Sequence, residues 1–548
     1  MVGPGEEARS SLAWQTYLPS SQSRKGEIAM EQVQAVSLNH VANPTGDESS
    51  SAHNTILRQS LAFLVMLLVF ATGTAHGQAV DPGPRGGTVG AGQPIANLTG
   101  DQMRFFQTAM AQFTEVEGVT LPSPGNGGLG PTFNSNSCGS CHSQPSVGGT
   151  SPSTSAFPFI GPNPQVAVAN LMGATNTVPF FVTADGPVRE ARFKYVPGTG
   201  QGRGGGDGRK GFGGDRGSMD WDESDTGVVD GSVHDLFTIA GRTDAPECVF
   251  PQEDFQRARA EGNLSFRIPT PVYGLGLLET ISDATILNSF ASTAAARAAL
   301  GIRGVPNRSG NDTSITRFGW KAQNKSGLIF AGEAYNVEMG ITNELFPNER
   351  GFGGVPPPAS CIFNPVPEDE TNFLPISVTP PFTDTSNVPG DVQDFAIFMR
   401  FLDQPMPACT GTACSPSIQN GLAQFNAAGC ALCHTPSMRT DTSDFTVNPP
   451  GLSGVVANLF SDLLLHHMGD NLNDGISQGN AGPDQFRTAP LWGIGQRVFF
   501  LHDGRTSDLL EAIQAHASRG SEANQVIRQF NSLTASQQQD LLNFLRSL

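Results

Sequence analysis

The sequence predicts a mainly α-helical protein with long irregular loops, and three observations lead to that prediction. Apolar side chains recur at helical spacing in several segments of the chain. The 548 residues include 64 glycines and 40 prolines, a share that is typical of long irregular connections. A five-residue pattern, Cys-x-x-Cys-His, occurs twice, at residues 138–142 and 430–434. The length by itself suggests about two to four domains.

The repeated pattern is the strongest chemical signal in the chain. Its two thiols lie one helical turn apart, where both can form thioethers to a haem's vinyl groups, and the adjacent histidine then reaches the iron. A redox Cys-x-x-Cys pair and half of a zinc site are the alternatives, but neither explains a histidine directly after both pairs. The pattern therefore predicts two covalently attached c-type haems. The residues concerned are Cys138, Cys141 and His142 for the first haem, and Cys430, Cys433 and His434 for the second.

The charge of the chain bears on its partners. The formal net charge is −18, and without residues 1–77, which carry four basic and six acidic side chains, it is still −16. This balance argues against nucleic acid as a partner. An acidic surface favours a basic protein, such as a small electron carrier.

Residues 1–77 are predicted to be a leader that contains a signal peptide. An apolar run at residues 61–71 follows Arg58 and precedes a stretch of small residues suited to cleavage before Gln78. The run is short for a membrane span. Export to the periplasm is also what c-type haem attachment requires in bacteria, so the two inferences agree. The polar residues upstream indicate an over-extended start, and the alternative is an uncleaved signal that anchors the protein to a membrane.

A linker, residues 78–94, precedes the first predicted helix. Thr99 and Gln102 form a capping-box pattern at the start of that helix. Apolar residues then recur at helical spacing, which predicts an amphipathic helix packed in a core ahead of the first haem motif. These residues are Met103, Phe106, Met110 and Phe113.

The region after the first motif offers no nearby second ligand for an iron. The next histidine after His142 is His234, and the next methionine is Met172. Either a remote side chain binds the other face of this haem or the sixth position is open, as peroxide or oxygen chemistry needs. His234 could lie on that face, or it could be a hydrogen-bonded structural residue. The glycine-rich residues 198–217 spell no phosphate-binding loop and predict a surface loop.

Two segments further along echo each other. Residues 266–279 and 486–495 both contain Phe-Arg, then proline, an aromatic residue and Gly-x-Gly, which suggests a duplicated unit. Between them, Trp320, Tyr335 and Glu338 lie close in sequence. In the simplest interpretation, the two aromatic residues are in the core and Glu338 is a solvated helix residue.

The C-terminal part is predicted to contain three helices around the second motif. A proline-rich linker, residues 356–389, precedes a helix that starts at Asp391. A short helix directly before the second motif buries Ile418, Leu422 and Phe425. A second capping box, Thr534 with Gln537, opens a terminal helix with leucines at positions 541, 542, 545 and 548 on one stripe.

Four cysteines lie outside the haem motifs. Cys409 and Cys414 are near enough in sequence to form a small disulfide loop. Cys248 with Cys361 would complete an even set in an oxidising compartment. Both disulfides are therefore expected.

Together these segments resemble the bacterial di-haem oxidoreductase family, often labelled thiol oxidoreductases. That family is similar to the bacterial di-haem cytochrome c peroxidases and to the MauG-type enzymes. The resemblance covers roughly residues 95–548, and its ordered series of motifs is far more specific than the two haem motifs. The motifs are Gly-Leu-Gly-Pro-Thr-Phe-Asn at 128–134, Phe-Thr-Ile-Ala-Gly-Arg-Thr-Asp-Ala at 237–245, Phe-Arg-Ile-Pro-Thr-Pro at 266–271, Arg-Phe-Gly-Trp-Lys-Ala at 317–322, Ser-Asp-Leu-Leu-Leu-His at 461–466, Phe-Arg-Thr-Ala-Pro-Leu-Trp-Gly at 486–493 and Leu-His-Asp-Gly-Arg at 501–505.

The resemblance implies two cytochrome-c-like helical domains. Residues 95–355 would hold a reactive haem, and residues 390–548 would hold an electron-transfer haem. In the related peroxidases, the second axial ligand of the electron-transfer haem lies fourteen residues after the histidine of a His-Asp-Gly motif, and here that spacing leads from His502 to His516. His434 and His516 would then be a bis-histidine pair, which gives a lower potential than a histidine and a methionine. The remaining histidines of this region, His466, His467 and His502, would be supporting or structural residues.

The resemblance also implies roles for Trp320 and Glu338. The peroxidases carry a tryptophan between the haems and, after it, a distal glutamate that handles the peroxide proton, and these two residues match by order and approximate spacing. The sequence departs from the pattern in two ways. The glutamine expected between them is absent, with Phe330 near that position, and no distal histidine follows the first haem motif. An apolar distal pocket of this kind would also suit oxygen chemistry, as in the related rubber oxygenases.

The leading hypothesis is a periplasmic di-haem c-type oxidoreductase that reduces hydrogen peroxide with electrons from a small carrier, a cytochrome c or a cupredoxin. Electrons would enter at the His434/His516 haem, pass by way of Trp320 and reduce peroxide at the His142 haem, with Glu338 as acid/base catalyst. An oxygen-dependent oxygenase or MauG-like oxidase is the second hypothesis, and a non-enzymatic electron carrier is the third. A calcium ion, which the peroxidases carry between their domains, is a further candidate cofactor.

Overall fold

The computed structural model describes residues 78–120, 127–152, 162–196, 229–352, 356–371, 390–442 and 450–548. The predicted leader, the glycine-rich segment and most of the proline-rich linker lie outside the described residues. The described residues cohere as one compact unit, so the predicted division into two domains is not confirmed. Among them, no helix is both long enough and apolar enough to cross a membrane.

Helices are the main regular structure of the described residues. The α-helices are α1 Gly100–Thr114, α2 Cys138–Cys141, α3 Pro164–Val168, α4 Phe255–Ala260, α5 Leu275–Thr280, α6 Asp283–Ser292, α7 Ala294–Leu300, α8 Gly327–Met339, α9 Asp391–Phe401, α10 Pro416–Ala427, α11 Leu509–Gln514, α12 Asn524–Ser532 and α13 Ala535–Ser547. Among the described residues, helix with the 3-10 turns accounts for 34% and strand with the isolated bridges for 10%. The prediction of a mainly α fold is therefore confirmed only in part, because irregular connections outweigh both.

The strands form small antiparallel sheets. They are β1 Thr132–Phe133, β2 Glu190–Arg192, β3 Val233–His234, β4 Phe237–Thr238, β5 Ser265–Arg267, β6 Met438–Arg439, β7 Val456–Ala457, β8 Leu465–His467 and β9 Gln485–Arg487. Their orders are β1-β4, β3-β2-β5, β6-β7 and β8-β9. The echoed segments form equivalent strands, because Phe266 at the centre of β5 pairs with Ala191 and Phe486 at the centre of β9 pairs with His466.

Helix α1 begins at the predicted capping box and packs against α9. The Thr99 side chain accepts the backbone N–H of Gln102, and the Gln102 side chain accepts that of Thr99. The buried face of α1 includes Phe113, and its ring lies 4.7 Å from the ring of Phe398 in α9. Although α9 falls within the predicted C-terminal domain, it therefore contributes to the core around the first haem motif. Tyr335 of α8 completes this contact, with its ring 5.0 Å from that of Phe395.

Helices α10 and α13 make the corresponding contact after the second motif. Gly421 and Phe425 are the buried residues of α10, and the Phe425 ring lies 5.4 Å from that of Phe544 in α13. The predicted stripe of α10 is wrong at Leu422, which is 38% exposed, because the small residue one position earlier forms the contact instead. The predicted capping box at Thr534 and the buried leucine stripe of α13 are both confirmed.

The two helix pairs follow one plan. In α1 a small residue, Ala109, precedes Phe113 by four positions, and in α10 Gly421 precedes Phe425 by the same interval, so each pair lies on one helix face. Each phenylalanine also approaches the histidine of the motif that follows it, at 6.0 Å for His142 and 6.4 Å for His434. This similarity supports the duplication that the echoed segments suggested.

Both predicted disulfides are present. Cys248 is bonded to Cys361, and Cys409 to Cys414. All four cysteines of the haem motifs are unbonded thiols. The cysteines thus separate into a structural set and a set available for other chemistry.

Replacing Gly421 by valine tests the helix contact. A Cβ atom at this position would lie 2.0 Å from the backbone oxygen of Asp540, which cannot move without displacing α13. We expect G421V to lower the free energy of unfolding by about 3 kcal/mol or more. The measurement is denaturant unfolding, with N420V on the exposed side of the same helix as the control. Equal stability of the two variants would contradict the close approach.

Candidate functional site

The second Cys-x-x-Cys-His motif opens onto a large, mainly apolar cavity, called the C-terminal cavity below. A 3-10 turn at Cys430–Leu432 carries the motif, and the His434 backbone N–H donates to the Cys430 carbonyl at 2.9 Å. The cavity encloses about 1410 Å³ of empty space up to its opening, and both thiols, His434 and His516 line it. The structure thus brings His516 to the same cavity as the motif.

His434 and His516 are held in the same way. The Nδ1–H of His434 donates to the carbonyl of Phe460 at 3.0 Å, and that of His516 donates to the carbonyl of Ala512 at 2.7 Å. A carbonyl can only accept, so in both rings Nε2 keeps its lone pair. Burial lowers the pKa of His434 to about 4, with a smaller contribution from His516, and burial also lowers the pKa of His516. Neutral imidazoles oriented through Nδ1 are the usual form of metal-binding histidines.

The neighbouring His466 is held differently. Its Nε2 lies 2.9 Å from Asp462 and its Nδ1 lies 2.8 Å from Glu522, so both ring nitrogens have carboxylate partners. Burial opposes the charged ring, but Cys433 and Asp462 outweigh burial and raise the pKa of His466. A cationic histidine has no lone pair for a metal, which agrees with the supporting role expected for it.

The other two histidines of this region also differ from His434 and His516. His467 is half-exposed and lies 3.0 Å from Asp484. His502 lines the cavity and stacks on Phe486 with ring centroids 4.4 Å apart. Burial lowers the pKa of His502 to about 4. It therefore forms part of the wall between the repeated strand β9 and Trp320.

The first Cys-x-x-Cys-His motif opens onto a second cavity, the N-terminal cavity. Helix α2 carries it, and His142 repeats the arrangement of His434, with its Nδ1–H donated to the carbonyl of Gly149 at 3.0 Å. Burial lowers the pKa of His142 to about 4. This cavity encloses about 1140 Å³, and among the described residues that line it His142 is the only histidine. Within the part of the chain that the structure describes, no second histidine lines this cavity.

His234 is a structural residue outside this lining. Its Nε2 lies 2.6 Å from Asp230 and its Nδ1 lies 2.9 Å from Glu253, and the ring stacks on Phe193 at 3.8 Å. Burial opposes its charge, but the hydrogen bonds to the two carboxylates outweigh burial and raise its pKa to about 9. Of the two interpretations of His234, the hydrogen-bonded structural one agrees with this geometry.

Glu338 lies on the wall of the N-terminal cavity, near the end of α8, and is not a solvated helix residue. The Asn134 side-chain amide donates to its Oε2 at 2.9 Å, and the Asn134 backbone N–H donates to the Glu338 carbonyl at 2.7 Å. The segment after β1 therefore fixes both the backbone and the carboxyl group. Burial and then the negative charge of Glu190 raise the pKa of Glu338 well above its ordinary value.

Glu190 is a cavity residue that the sequence did not reveal. It lies in β2, its carboxyl group is hydrogen-bonded to that of Glu338, and its Oε1 accepts the Nε–H of Arg192 at 2.6 Å. Burial opposes its charge, but Arg192 outweighs burial and lowers the pKa of Glu190. The two carboxyl groups therefore share one proton at neutral pH, held on Glu338. Pairing of β2 with β5 brings Glu190 here, and no local pattern around it indicates that.

The wall of the N-terminal cavity is more polar than expected. Phe330 lines it as predicted, but so do Glu333, Arg192 and Gln323. The Oε1 atom of Gln323 is buried without a hydrogen-bond partner, so a glutamine does reach this cavity although none stands at the expected spacing. The lining remains mainly apolar, but β2, the turn after Trp320 and α8 contribute polar side chains to it.

Trp320 lines both cavities. Its Nε1–H donates to the carbonyl of Ile268 at 2.9 Å, and His502 meets it edge to face at 6.4 Å. A single buried indole therefore forms part of both walls. Tyr335 also lines the N-terminal cavity, and its hydroxyl group donates to Asp391 at 2.9 Å.

The residues of both cavities suit a c-type haem. Each cavity combines two free thiols, a neutral histidine with Nε2 unprotonated, and enough apolar wall to enclose a porphyrin. We find no candidate calcium site in the part of the chain that the structure describes. It contains no group of three or more His, Cys, Asp or Glu residues placed to hold a metal ion.

Comparisons with known proteins connect the chain to one family. The family model described as "Di-haem oxidoreductase, putative peroxidase" matches residues 211–548, which is more than half of the chain and includes the second haem motif. No curated protein matches the chain. A solved structure of hydrazine synthase from Kuenenia stuttgartiensis, pressurized with xenon, matches at 17% identity with a TM-score of 0.20, over 30% of this chain and 56% of that chain. The chain thus spans little more than half of that structure, and at this TM-score the likeness supports no argument.

Proposed function

This chain belongs to the di-haem oxidoreductase family, and from that premise we propose a periplasmic c-type enzyme that reduces hydrogen peroxide with electrons from a small carrier protein. The family supports a peroxidase-type oxidoreductase with two haems. Covalent attachment, peroxide as substrate and the carrier are parts of the proposal. The observation that carries it is the pair of cavities, each reached by one Cys-x-x-Cys-His motif, with Trp320 in the wall of both.

Each motif would hold one haem, which supplies the redox chemistry when bound. Cys138 and Cys141 would attach the first, with His142 as its ligand. Cys430 and Cys433 would attach the second, with His434 and His516 as its ligands. The hydrogen bonds from Nδ1 to backbone carbonyls support these assignments, because they fix each ring with Nε2 unprotonated. Two imidazoles favour a lower potential than a histidine and a methionine.

Trp320 would lie on the route between the two haems. It is buried, it is fixed by its hydrogen bond to Ile268, and its ring meets His502 of the C-terminal cavity. A rigid aromatic ring in a shared wall needs no rearrangement to couple the two sites. We assign it a role in electron transfer on that basis.

The carboxyl pair would handle the protons. Glu338 holds the shared proton and can donate it to the leaving oxygen of peroxide as the O–O bond breaks, which releases water. The Glu338 carboxylate can then accept the proton that the other peroxide oxygen loses, so the net protonation of the pair does not change. Arg192 keeps Glu190 ionised throughout. A proton-carrying carboxyl pair in the wall is the observation that favours peroxide chemistry over the oxygenase alternative.

The proposed location and partner rest on other features. Two disulfides suit an oxidising compartment such as the periplasm. The net charge of −18 favours a basic donor protein, as a small cytochrome c or cupredoxin can be. A membrane anchor would require the predicted signal to remain uncleaved.

Optical and electron paramagnetic resonance spectra of the purified protein would test the proposal, in the oxidised and half-reduced states, with and without peroxide. We expect one bis-histidine haem and one high-spin haem, with the high-spin signal consumed by peroxide. Two low-spin haems that do not react with peroxide in either redox state would show an electron carrier instead.

Replacing His516 by alanine tests the ligand assignment. The C-terminal haem should lose its second ligand and change from low-spin to high-spin, because only His434 would remain bound. H467A is the control, since His467 is half-exposed and paired with Asp484. An unchanged low-spin spectrum in H516A would remove His516 from the site.

Replacing Glu338 by glutamine tests the proton transfer. Peroxide turnover should fall by about 10²- to 10⁴-fold, the usual contribution of a general acid–base group, while both haem spectra stay the same. E511Q, an exposed glutamate of α11, is the matched control and should retain full turnover. Unchanged turnover in E338Q would exclude this carboxyl group from the reaction.

Replacing Glu190 by glutamine tests the shared proton. Burial keeps the pKa of Glu338 raised in the variant, but the nearby negative charge is gone, so that pKa should fall. Glu338 must be protonated to donate, so the alkaline limb of the kcat/KM profile should move to lower pH. A limb that stays in place or moves to higher pH would show that the two carboxyl groups do not share a proton.

A further inference from the structure

Two buried arginines line the wall of the C-terminal cavity. Arg487 is 7% exposed and Arg497 is 8% exposed. Both also line a smaller cavity that shares Trp320 with the two large ones. Neither of them lines the N-terminal cavity. Both arginines thus belong to the lining of the C-terminal cavity and of the small cavity next to Trp320.

These two guanidinium groups have carbonyl partners but no carboxylate partner. Arg487 donates to the carbonyls of Gly319 and Thr488 at 3.0 and 3.3 Å, and Arg497 donates to that of Phe499 at 2.8 Å. The Nη2 of Arg497 is buried without any partner. Within the described ranges, neither arginine forms an ion pair, and burial alone lowers the pKa of each to about 10. Both groups therefore stay charged at neutral pH.

Other buried arginines of the protein are paired. Arg267 is the instructive case, because it occupies in β5 the place that Arg487 occupies in β9, and it lies 2.7 Å from Asp474. Both echoed segments thus contain the arginine, but among the described residues only Arg267 has a carboxylate partner. Further pairs of this kind are Arg192 with Glu190, Arg242 with Asp244, Arg297 with Asp462 and Arg546 with Asp81.

A buried cation without an anion is costly, so two of them in one wall indicate an anion that the chain does not supply. We propose that Arg487 and Arg497 form an anion site that binds the propionate carboxylates of the haem in the C-terminal cavity. The site rests on the proposed haem placement. Arginine suits it, because a guanidinium group presents parallel N–H donors to a carboxylate.

The proposal has a consequence for the electron-transfer haem. Two fixed positive charges beside it favour the reduced iron, which carries one positive charge less than the oxidised iron. They would also keep the propionates ionised, so that the midpoint potential varies little with pH. The Arg497 group lies 5.9 Å from the centre of the Trp320 ring, on the proposed route between the haems.

The test is a redox titration of the holoprotein and of R487Q and R497Q. In each variant the midpoint potential of the C-terminal haem should fall and should become dependent on pH, while that of the N-terminal haem is unchanged. R505Q removes the same charge from a partly exposed arginine paired with Asp503 and should change neither potential. R497K keeps the positive charge, so the midpoint potential of the C-terminal haem should stay close to that of the parent protein.

Two results would overturn the assignment. One is a C-terminal haem whose potential and pH profile are the same in both glutamine variants as in the parent, and the other is a shift confined to the N-terminal haem. If the glutamine variants do not fold, the parent protein decides: a potential that falls steeply from about pH 3 to about pH 6, where exposed carboxylates titrate, would also overturn it. A protein without covalent haem at Cys430 and Cys433 would refute the proposed function instead.

Discussion

Next to each Cys-x-x-Cys-His motif, two helices pack closely against each other. This contact determines the positions of the motif histidine and of the cavity beside it. Where α10 crosses α13, the two helices lie so close together that only a glycine fits at position 421. This close approach allows Phe425 to pack directly on Phe544. The same phenylalanine approaches His434, which links the helix crossing to the orientation of the proposed iron ligand. Helices α1 and α9 repeat this plan at the first motif. Both cavities therefore open on the far side of a tightly packed helix pair, and their histidines have little freedom to move.

The two cavities differ in how buried charge is arranged, and this difference supports separate roles. In the N-terminal cavity, Glu190 and Glu338 share a proton beside Arg192, so the wall can donate and accept protons. In the C-terminal cavity, His434 and His516 are neutral, His466 is charged between its carboxylate partners, and two arginines have no acid partner among the described residues. Fixed positive charges in the wall suit a redox centre that gains and loses electrons without transferring protons. Proton transfer and electron entry would thus be separated by the Trp320 wall.

Several expectations held because they depended on neighbours in sequence, and others were wrong because they did not. The capping boxes at Thr99 and Thr534 are satisfied within one helical turn. Leu422 was assigned to a buried stripe by spacing alone, but a glycine one position away lets the partner helix approach on another side. Around Phe330, which occupies the place of a glutamine, the local sequence indicates no polar side chain in the pocket. Strand β2, remote in sequence, instead brings Glu190 and Arg192 to that wall.

The sequence by itself determined the chemistry that local spacing can encode: two Cys-x-x-Cys-His motifs, the helices before them, and the small Cys409–Cys414 disulfide loop. The Cys248–Cys361 disulfide, which joins residues 113 positions apart, was expected only as the remaining pair of an even set. It also identified His516, Trp320 and Glu338 as candidates through a resemblance in motif order. Only the tertiary structure decided which groups share a wall. The carboxyl pair, the indole common to both cavities and the unpaired arginines all depend on contacts between segments far apart in the chain. Such contacts leave no periodic pattern, because each segment is locally compatible with many partners until the packed core selects one.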